Sequence, residues 1–290
     1  MSSYVLITAA HNEESFIEKT LASVVNQSLR PVKWVIVNDR STDKTEEIIR
    51  QYQLENNFIE LMTVRGDDNR NFGAQVRAIN NGFDLIRHLD YDFIGNLDAD
   101  ISFEPCYFEQ LLKAFGNDAR LGLAGGTIYE QQGGKFKLRK TNQQRSVPHA
   151  VQMFRRACYE AVGGYRPLRY GGPDSYAEVT ARMLGWQVRS IPELQVFHHR
   201  ATASADGLVR GAIRQGFMDY SLGSLPLFEL MKCIRRMQTK PYVAGGLIRF
   251  AAFLWATCRM EQREASREFV KYLRMEQGLR LRAAISRWYL

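Results

Sequence analysis

The sequence predicts an α/β protein with a mostly parallel central sheet covered by helices on both faces. Over the first hundred residues, short apolar segments alternate with stretches whose apolar residues recur at helical spacing, such as Ile17, Leu21 and Val24. This alternation is typical of parallel strands joined by helical crossovers. Hydrophobic residues make up 45% of the 290 residues and charged residues 24%. These proportions indicate an ordinary globular protein and exclude a disordered chain.

Four strands are predicted in the first hundred residues, at positions 4–10, 33–37, 58–64 and 91–97. Polar, turn-forming residues follow the second strand and end it. Ser41 or Thr42 is expected to cap the helix that runs through Tyr52. A polar, glycine-bearing loop at 65–73 precedes a helix that ends near Leu89. Pro105 suits the first turn of the helix after the fourth strand.

The pattern of strands and helices loosens after residues 121–127. Residues 131–146 are polar and basic with little periodicity, and they form either a mobile lid or a solvated surface loop. The later predicted elements are a strand at 151–154, a helix at 155–162 closed by Gly163 and Gly164, a glycine-rich loop at 169–174, a helix through Leu184 that stops at Gly185, and a strand at 187–197 that ends in His198 and His199.

Two carboxylates separated by one residue, Asp98 and Asp100, follow the fourth strand. In an open α/β sheet, ligands bind outside the carboxyl ends of the strands. Two acids at this edge need a counter-charge, because an unpaired buried carboxylate is very unfavourable. A divalent cation supplies that charge, and oxygen ligands suit Mg²⁺ or Mn²⁺. Taken alone, the pair fits two solvated acids equally well.

Motifs spread over residues 4–200 resemble those of family 2 glycosyltransferases with the GT-A fold. In chain order they are residues 11–14 (HNEE), 37–43 (VNDRSTD), 97–100 (LDAD), 163–165 (GGY), Asp174 with the helix ending at 182–186 (RMLGW), and the pair His198 and His199. Each motif alone is weak, whereas their ordered combination is specific. The resemblance implies a Rossmann-like GT-A catalytic domain over 1–200, with a nucleotide-sugar half at about 1–100 and an acceptor half at about 101–200. Residues 201–290 are expected to form a helical C-terminal region.

The resemblance also implies a donor and a metal. The donor would be a nucleoside diphosphate sugar, with a UDP-sugar favoured over a GDP-sugar, and the cofactor would be Mn²⁺ or Mg²⁺. The implied donor-site residues are Ala9, His11 and Glu13 beside the nucleoside, Asp39 on the base, Arg77 on the pyrophosphate, Asp98 on the ribose or the metal, and Asp100 on the metal. His198 or His199 would be a third protein ligand, with His198 preferred, and a histidine ligand favours Mn²⁺ slightly. Apart from the resemblance, Asp39 would be a helix cap and Arg77 an exposed helix residue.

An inverting transfer needs a carboxylate that takes the proton of the acceptor hydroxyl as its oxygen attacks the anomeric carbon. The resemblance implies Asp174 for this role. Many relatives carry Glu-Asp here, whereas this chain has Pro173 and Asp174, so that a charge and a backbone donor are missing. Glu178, one helical turn later, is the reserve candidate. Asp174 would also suit the N-cap of the helix that it opens.

The formal net charge of +8 and the isoelectric point near 9.3 favour an anionic partner. Nucleic acid fits least, because no motif that reads it is present. Beyond residue 200, an apolar stripe at helical spacing is flanked by basic residues; its members are Leu247, Phe250, Ala251, Leu254, Trp255 and Cys258. The stretch is shorter than the roughly 20 residues of a membrane span. It lies on an anionic membrane, or it packs against the catalytic domain or another subunit of an oligomer.

These features predict a metal-dependent, inverting glycosyltransferase that acts on a glycan or lipid-linked acceptor in polysaccharide or glycolipid assembly. A sugar nucleotidyltransferase is one alternative, but residues 9–14 lack the glycine- and basic-rich loop that would bind a triphosphate. A non-catalytic nucleotide-sugar-binding scaffold is another, which the retained acids disfavour. Residues 1–10 show no leader pattern, and the four cysteines are scattered without zinc-site spacing. We therefore expect a cytoplasmic protein, which is peripheral on the inner face of the membrane if the C-terminal stripe contacts lipid.

Overall fold

The structure is a computed structural model that describes residues 2–65, 72–139, 142–200, 207–238 and 242–286. The chain divides into two compact units, one formed by Met1–Pro167 with Pro173–Ala201 and the other by Leu168–Gly172 with Thr202–Leu290. We call them the sheet unit and the helical unit. Most of the loop predicted at 65–73, and Lys140 of the basic segment, lie outside the described residues.

The first part of the sheet unit is a parallel α/β layer, as predicted. Its strands lie in the order β3-β2-β1-β4, and every neighbouring pair among them is parallel. The elements are β1 (Tyr4–Ala10), α1 (Ile17–Val25), β2 (Lys33–Asp39), α2 (Thr45–Glu55), β3 (Ile59–Val64), α3 (Phe72–Ile86) and β4 (Phe93–Leu97). Asp98 and Asp100 therefore follow directly the carboxyl end of the last of these strands.

The second part of the sheet unit continues the same sheet with mixed strand directions. Beyond β4 the order is β8-β6-β9-β5, with β8 antiparallel to both of its neighbours and β5 antiparallel to β9. The elements are β5 (Ile101–Phe103), α4 (Tyr107–Asn117), β6 (Leu121–Gln132), β7 (Lys135–Leu138), β8 (Val151–Arg155), α5 (Arg156–Val162), α6 (Pro173–Met183) and β9 (Gln187–His198). The predicted fold class is confirmed.

Both faces of the sheet are buried, and this explains why its strands are continuous apolar runs. Side chains alternate along a strand, so Tyr4 and Leu6 of β1 join one core cluster while Val5 and Ile7 join the other. All four side chains are at most 1% exposed. Parallel sheets covered by helices on both faces have this character.

Two local predictions are wrong. Residues 131–138 form a hairpin, because β6 extends to Gln132 and pairs with β7 through Gly133 and Gly134, both at positive φ. The predicted lack of regular structure is therefore wrong for these residues, whereas the exposure of all of β7 agrees with a solvated surface segment; the role of a lid stays a prediction. In addition, neither Ser41 nor Thr42 caps α2. The side chain of Asp43 accepts a hydrogen bond from the backbone N–H of Thr45 at 3.0 Å, while the Ser41 hydroxyl is used by the backbone N–H of Asn12.

The helical unit contains α7 (Leu208–Ser221), α8 (Pro226–Arg236), α9 (Tyr242–Cys258) and α10 (Arg267–Ser286). Both α7 and α8 pack against α9. The helix predicted around residues 247–258 is confirmed, and it begins earlier, at Tyr242. In the described part of the chain, no helix combines the length and the apolar character that crossing a membrane requires.

Candidate active site

The predicted metal-binding acids and one of the two histidines come together at one edge of the sheet. Strand β5 pairs with β9 so that Ile101 lies opposite His198, which brings His198 beside the preceding residue, Asp100. One ligand atom each from Asp98, Asp100 and His198 lies within 4.8 Å of the others. Two carboxylates and an imidazole at this spacing are a suitable donor set for one divalent cation.

Asp100 lies between two basic side chains. His198 Nε2 lies 3.2 Å from Asp100 Oδ1, and Arg200 Nε lies 3.5 Å from Oδ2. Burial disfavours the charged imidazolium, but the hydrogen bond to Asp100 and the charge of Asp100 raise the pKa of His198. Arg200 also forms an ion pair with Glu13, so it joins the loop after β1 to the metal-binding edge. Sequence reasoning missed Arg200, although it directly follows the predicted histidines.

The neighbouring histidine has a different environment. His199 Nε2 is 2.8 Å from the hydroxyl of Ser102, and its backbone N–H donates to the carbonyl of Asp100 at 2.9 Å. Its ring packs edge-on against Phe136. The structure therefore groups His198, and not His199, with the two carboxylates.

Two side chains that the sequence analysis did not single out contact Asp98. Gln75 Nε2 on α3 donates to Asp98 Oδ1 at 3.3 Å, and His149 Nδ1 lies 3.5 Å from the same oxygen. Burial alone would raise the pKa of Asp98, but the hydrogen bond from His149 and the charges of His149 and His198 lower it. Asp98 is therefore held as a carboxylate, which is the form that binds a cation.

The predicted nucleoside residues lie where β1 and β2 end. His11 Nδ1 is 2.5 Å from the backbone carbonyl of Asp39, and Ala9 pairs with Val37 within the sheet. Burial, opposed by Arg200 but assisted by the charges of Asp100 and Asp98, raises the pKa of Glu13 to about 7. The contact between His11 and the carbonyl of Asp39 joins the loop after β1 to the end of β2.

A cavity of about 410 Å³ opens between β2, β3 and α3, and Asp39 and Arg77 are both among its lining residues. Arg40 forms an ion pair with the preceding residue, Asp39, with Nε 2.8 Å from Oδ1 and Nη2 3.1 Å from Oδ2. Arg40 adopts a φ of +58°, in the left-handed region that non-glycine residues seldom occupy. The predicted base-binding acid and pyrophosphate-binding arginine thus line one cavity.

The two candidate bases lie on the same helix in different surroundings. Asp174 is in the first turn of α6, half-buried and without a hydrogen-bond partner among the described residues. Burial opposes protonation of His149, while Asp98 and, more weakly, Asp174 raise the pKa of its ring. The charge of Asp174 therefore reaches the residue that contacts Asp98. Pro173 occupies the first position of α6, where the missing N–H costs no helical hydrogen bond.

Glu178, the reserve candidate, is only 4% exposed. Its Oε1 accepts hydrogen bonds from the backbone N–H of Val147 at 2.6 Å and from the hydroxyl of Ser146 at 3.1 Å. Burial, then the charge of Asp174, raises its pKa to about 8. Glu178 thus anchors the segment that leads to His149.

The sequence model of the family described as Glycosyl transferase family 2 matches residues 5–177. EpsH of Bacillus subtilis (strain 168) is 32% identical over 151 residues, which is 51% of this chain and 41% of EpsH. A poly-β-1,6-N-acetyl-D-glucosamine synthase of Staphylococcus aureus (strain COL) is 31% identical over 120 residues, which is 41% of this chain and 27% of the synthase. The chain thus spans less than half the length of either relative.

Solved structures show the same fold at low sequence identity. The mannosyltransferase PcManGT from Pyrobaculum calidifontis, in complex with GDP-Man and Mn²⁺, has a TM-score of 0.58 at 16% identity, over 98% of this chain and 82% of that one. S. aureus TarS 1–349, in complex with UDP-GlcNAc, has a TM-score of 0.54 at 12% identity, over 93% of this chain and 78% of that one. The predicted GT-A fold is confirmed.

Proposed function

Because the chain belongs to glycosyl transferase family 2, and is therefore a glycosyltransferase, we propose that it moves a sugar from a nucleoside diphosphate sugar to an acceptor hydroxyl with inversion at the anomeric carbon. The observation that carries this proposal is the group of Asp98, Asp100 and His198 at the carboxyl end of β4. Ligands of open α/β sheets bind at this edge.

The proposed cofactor is Mn²⁺ or Mg²⁺, held by Asp98, Asp100 and His198. The donor set supports it, because two carboxylates and one imidazole with ligand atoms within 4.8 Å suit a single ion. The bound cation would supply charge neutralisation for the departing nucleoside diphosphate. The chain's own contribution is to orient these ligands: Gln75 and His149 contact Asp98, and Arg200 ties Asp100 to Glu13. Such supporting contacts set ligand geometry.

We propose that the donor's base binds in the cavity lined by Asp39 and Arg77. A carboxylate has about four acceptor sites, so the two bonds from Arg40 leave room on Asp39 for a ring N–H of the base. Arg77, with Arg65 on the same cavity wall, supplies positive charge for the pyrophosphate. The base is proposed to be uracil rather than guanine. Fold neighbours have been solved with each kind of donor, UDP-GlcNAc in TarS and GDP-Man in PcManGT.

We assign to Asp174 the role of general base, the group that takes the proton of the acceptor hydroxyl. Its carboxylate is half-buried and has no hydrogen-bond partner among the described residues, so its oxygens are available to take a proton. Glu178 fits a structural role better, since its Oε1 is used by the Val147 N–H at 2.6 Å.

The proposed acceptor is a glycan or lipid-linked hydroxyl in polysaccharide or glycolipid assembly. The relation to a poly-β-1,6-N-acetyl-D-glucosamine synthase supports the polysaccharide setting. We further propose that the protein works on the cytoplasmic face of a membrane as a peripheral protein, in keeping with its net charge of +8.

A thermal-shift comparison tests the metal and the donor together. With ligand at about a hundred times its Kd, binding adds roughly 2.7 kcal/mol to the free energy of unfolding, or about 5–10 °C for a unit of this size. UDP and UDP-sugars with Mn²⁺ should raise the Tm of the wild type by this amount, and Asp100→Asn should abolish the gain while the protein without ligand still unfolds cooperatively. Asp90→Asn, at an exposed aspartate, is the matched control. An unchanged gain in Asp100→Asn, or no gain with any nucleoside diphosphate in the wild type, would overturn the proposal.

A further inference from the structure

The net charge of the chain is confined to its C-terminal part. Residues 202–290 contain 15 lysines and arginines against 7 aspartates and glutamates, which accounts for the whole formal charge of +8. The first 201 residues contain 24 of each kind and are neutral. An anionic partner attracted by this charge therefore meets residues of the helical unit.

Helix α8 of the helical unit exposes its apolar side and buries a charged residue. Its exposed side carries four large apolar residues at i, i+3, i+4 and i+7, which are Leu227, Leu230, Met231 and Ile234, exposed by 58%, 36%, 50% and 48%. Its inward side carries Glu229, which is fully buried. A surface helix in water normally buries its apolar stripe and exposes its charges. In α8 the apolar stripe is left without cover in the described part of the chain.

A buried ion cluster explains why polar residues of α8 point inward. Arg249 of α9 donates from Nε to Glu229 Oε1 at 2.8 Å and also pairs with Asp219 of α7. Lys232 Nζ lies 2.6 Å from Asp219 and 2.9 Å from Glu229. Two acids and two bases thus compensate one another, as buried charges must. The cluster therefore joins α7, α8 and α9 through buried charges.

Close backbone contacts limit the space between these helices. A Cβ atom at Gly216 of α7 would lie 2.3 Å from the carbonyl oxygen of Arg249, and one at Gly246 of α9 would lie 2.7 Å from the carbonyl oxygen of Cys233. The helices therefore approach one another too closely for larger side chains at these points.

Helix α9 also leaves large apolar side chains exposed. Its inward side is made by Gly246, Arg249, Ala252, Phe253 and Ala256. Most of the apolar stripe found in the sequence lies outward, with Leu247 exposed by 57%, Leu254 by 43% and Trp255 by 55%. Arg259 packs over the Trp255 ring, with Cζ 4.6 Å from the ring centroid, so a cation and an apolar ring lie side by side on the surface.

We propose that the exposed apolar faces of α8 and α9 are the surface by which the protein docks on an anionic phospholipid bilayer. Apolar side chains can enter the boundary between headgroups and acyl chains, while nearby arginines such as Arg235 and Arg259 meet lipid phosphates. A second copy of the chain would oppose one strongly positive unit with another, which disfavours self-association there. The inference deepens the peripheral membrane contact in the proposed function and rests on that part alone.

Vesicle flotation with the full-length chain tests the surface. The wild type should float with vesicles of equal parts phosphatidylglycerol and phosphatidylcholine, and should remain unbound with phosphatidylcholine alone. Salt should weaken binding to the anionic vesicles, because exposed charges are screened. The double variant Leu230→Ser, Met231→Ser should bind anionic vesicles about tenfold more weakly, since two large apolar side chains are lost from the contact.

The matched control is Val32→Ser, Leu54→Ser, which removes two apolar side chains from the sheet unit that are exposed by 51% and 88%. It should bind as the wild type does, and both variants should keep the wild-type far-UV circular dichroism. Equal binding by the two double variants would overturn the assignment. Failure of the wild type to bind anionic vesicles would also overturn it. So would a wild-type dimer in solution that is dissociated by the α8 substitutions. Vesicle binding requires no sugar transfer, so its failure leaves the catalytic proposal intact.

Discussion

Replacing Glu178 by glutamine should remove a pH-dependent loss of stability while leaving sugar transfer nearly intact. The side chain is buried, and its Oε1 accepts hydrogen bonds from the Val147 N–H and the Ser146 hydroxyl. Glutamine keeps an oxygen in that position and has about the same shape, so the segment that carries His149 stays anchored. What changes is that the buried group can no longer ionise.

The magnitude follows from the pKa. Burial and the charge of Asp174 raise the pKa of Glu178 from 4.5 to about 8, against the opposing charge of Arg182. A carboxyl whose pKa is higher in the folded state binds more protons when folded, so the free energy of unfolding falls as the pH rises between the two values. At about 1.36 kcal/mol per unit, raising the pH from 5.5 to 8.5 crosses the upper part of this interval and removes ~3 kcal/mol.

Urea denaturation at pH 5.5 and pH 8.5 measures this difference. The advantage of Glu178→Gln over the wild type in free energy of unfolding should grow by ~3 kcal/mol from the lower pH to the higher one. Glu47→Gln, at an exposed position of α2, should keep the wild-type dependence. If Glu178→Gln follows the wild type at both pH values, the reasoning about the buried carboxyl is refuted. If it loses transfer activity by a hundredfold or more, a loss typical of a missing catalytic base, the reserve assignment of Glu178 as the base is favoured instead.

Two further predictions concern single side chains. Asp174→Asn should lower kcat by roughly 10²–10⁴-fold while the donor still raises the Tm, and near-normal turnover in a transfer assay would place the base elsewhere. Arg249→Met should lower the free energy of unfolding by about 3–5 kcal/mol, because it leaves Asp219 and Glu229 with Lys232 as their remaining partner in the cluster. Arg259→Met, at an exposed arginine, is the control, and an equal effect of both changes in urea denaturation would contradict this account of the cluster.

The parallel half of the sheet could be predicted because each of its strands is buried on both faces. Burial of this kind leaves continuous apolar runs, and helices between them leave a second, distinct period. The gathering of Asp98, Asp100 and the histidine pair could also be anticipated, since these residues all follow strand ends. His198 was preferred over His199, but the sequence offered no geometric reason for that choice. The reason is the pairing of Ile101 with His198, a tertiary register that is not visible in the sequence of either strand.

Other features escaped for identifiable reasons. Every residue of β7 is exposed. Its sequence does alternate between lysines and the apolar residues Phe136 and Leu138, but only over four positions inside a polar and basic segment, so the segment resembled a loop. Gln75 and His149 meet Asp98 across 23 and 51 positions of sequence, with no local pattern to announce them. The inward direction of Glu229 could not be predicted either, because a charged residue in an amphipathic helix normally lies on its solvated face.

The surplus positive charge that gives the chain its high isoelectric point lies in the helical unit and not in the sheet unit. In a basic protein that binds an anionic nucleotide, the positive charge would ordinarily be attributed to donor binding. Here the residues proposed to meet the donor belong to a stretch with equal numbers of acids and bases, and the surplus of eight positive charges lies beyond residue 201. Donor affinity would then depend on a few placed groups, such as Arg77 and a bound cation, and less on the overall field. The surplus is better matched to an extended anionic surface, where juxtamembrane charges contribute roughly 1 kcal/mol each. Raised salt should therefore weaken vesicle binding far more than it weakens donor binding.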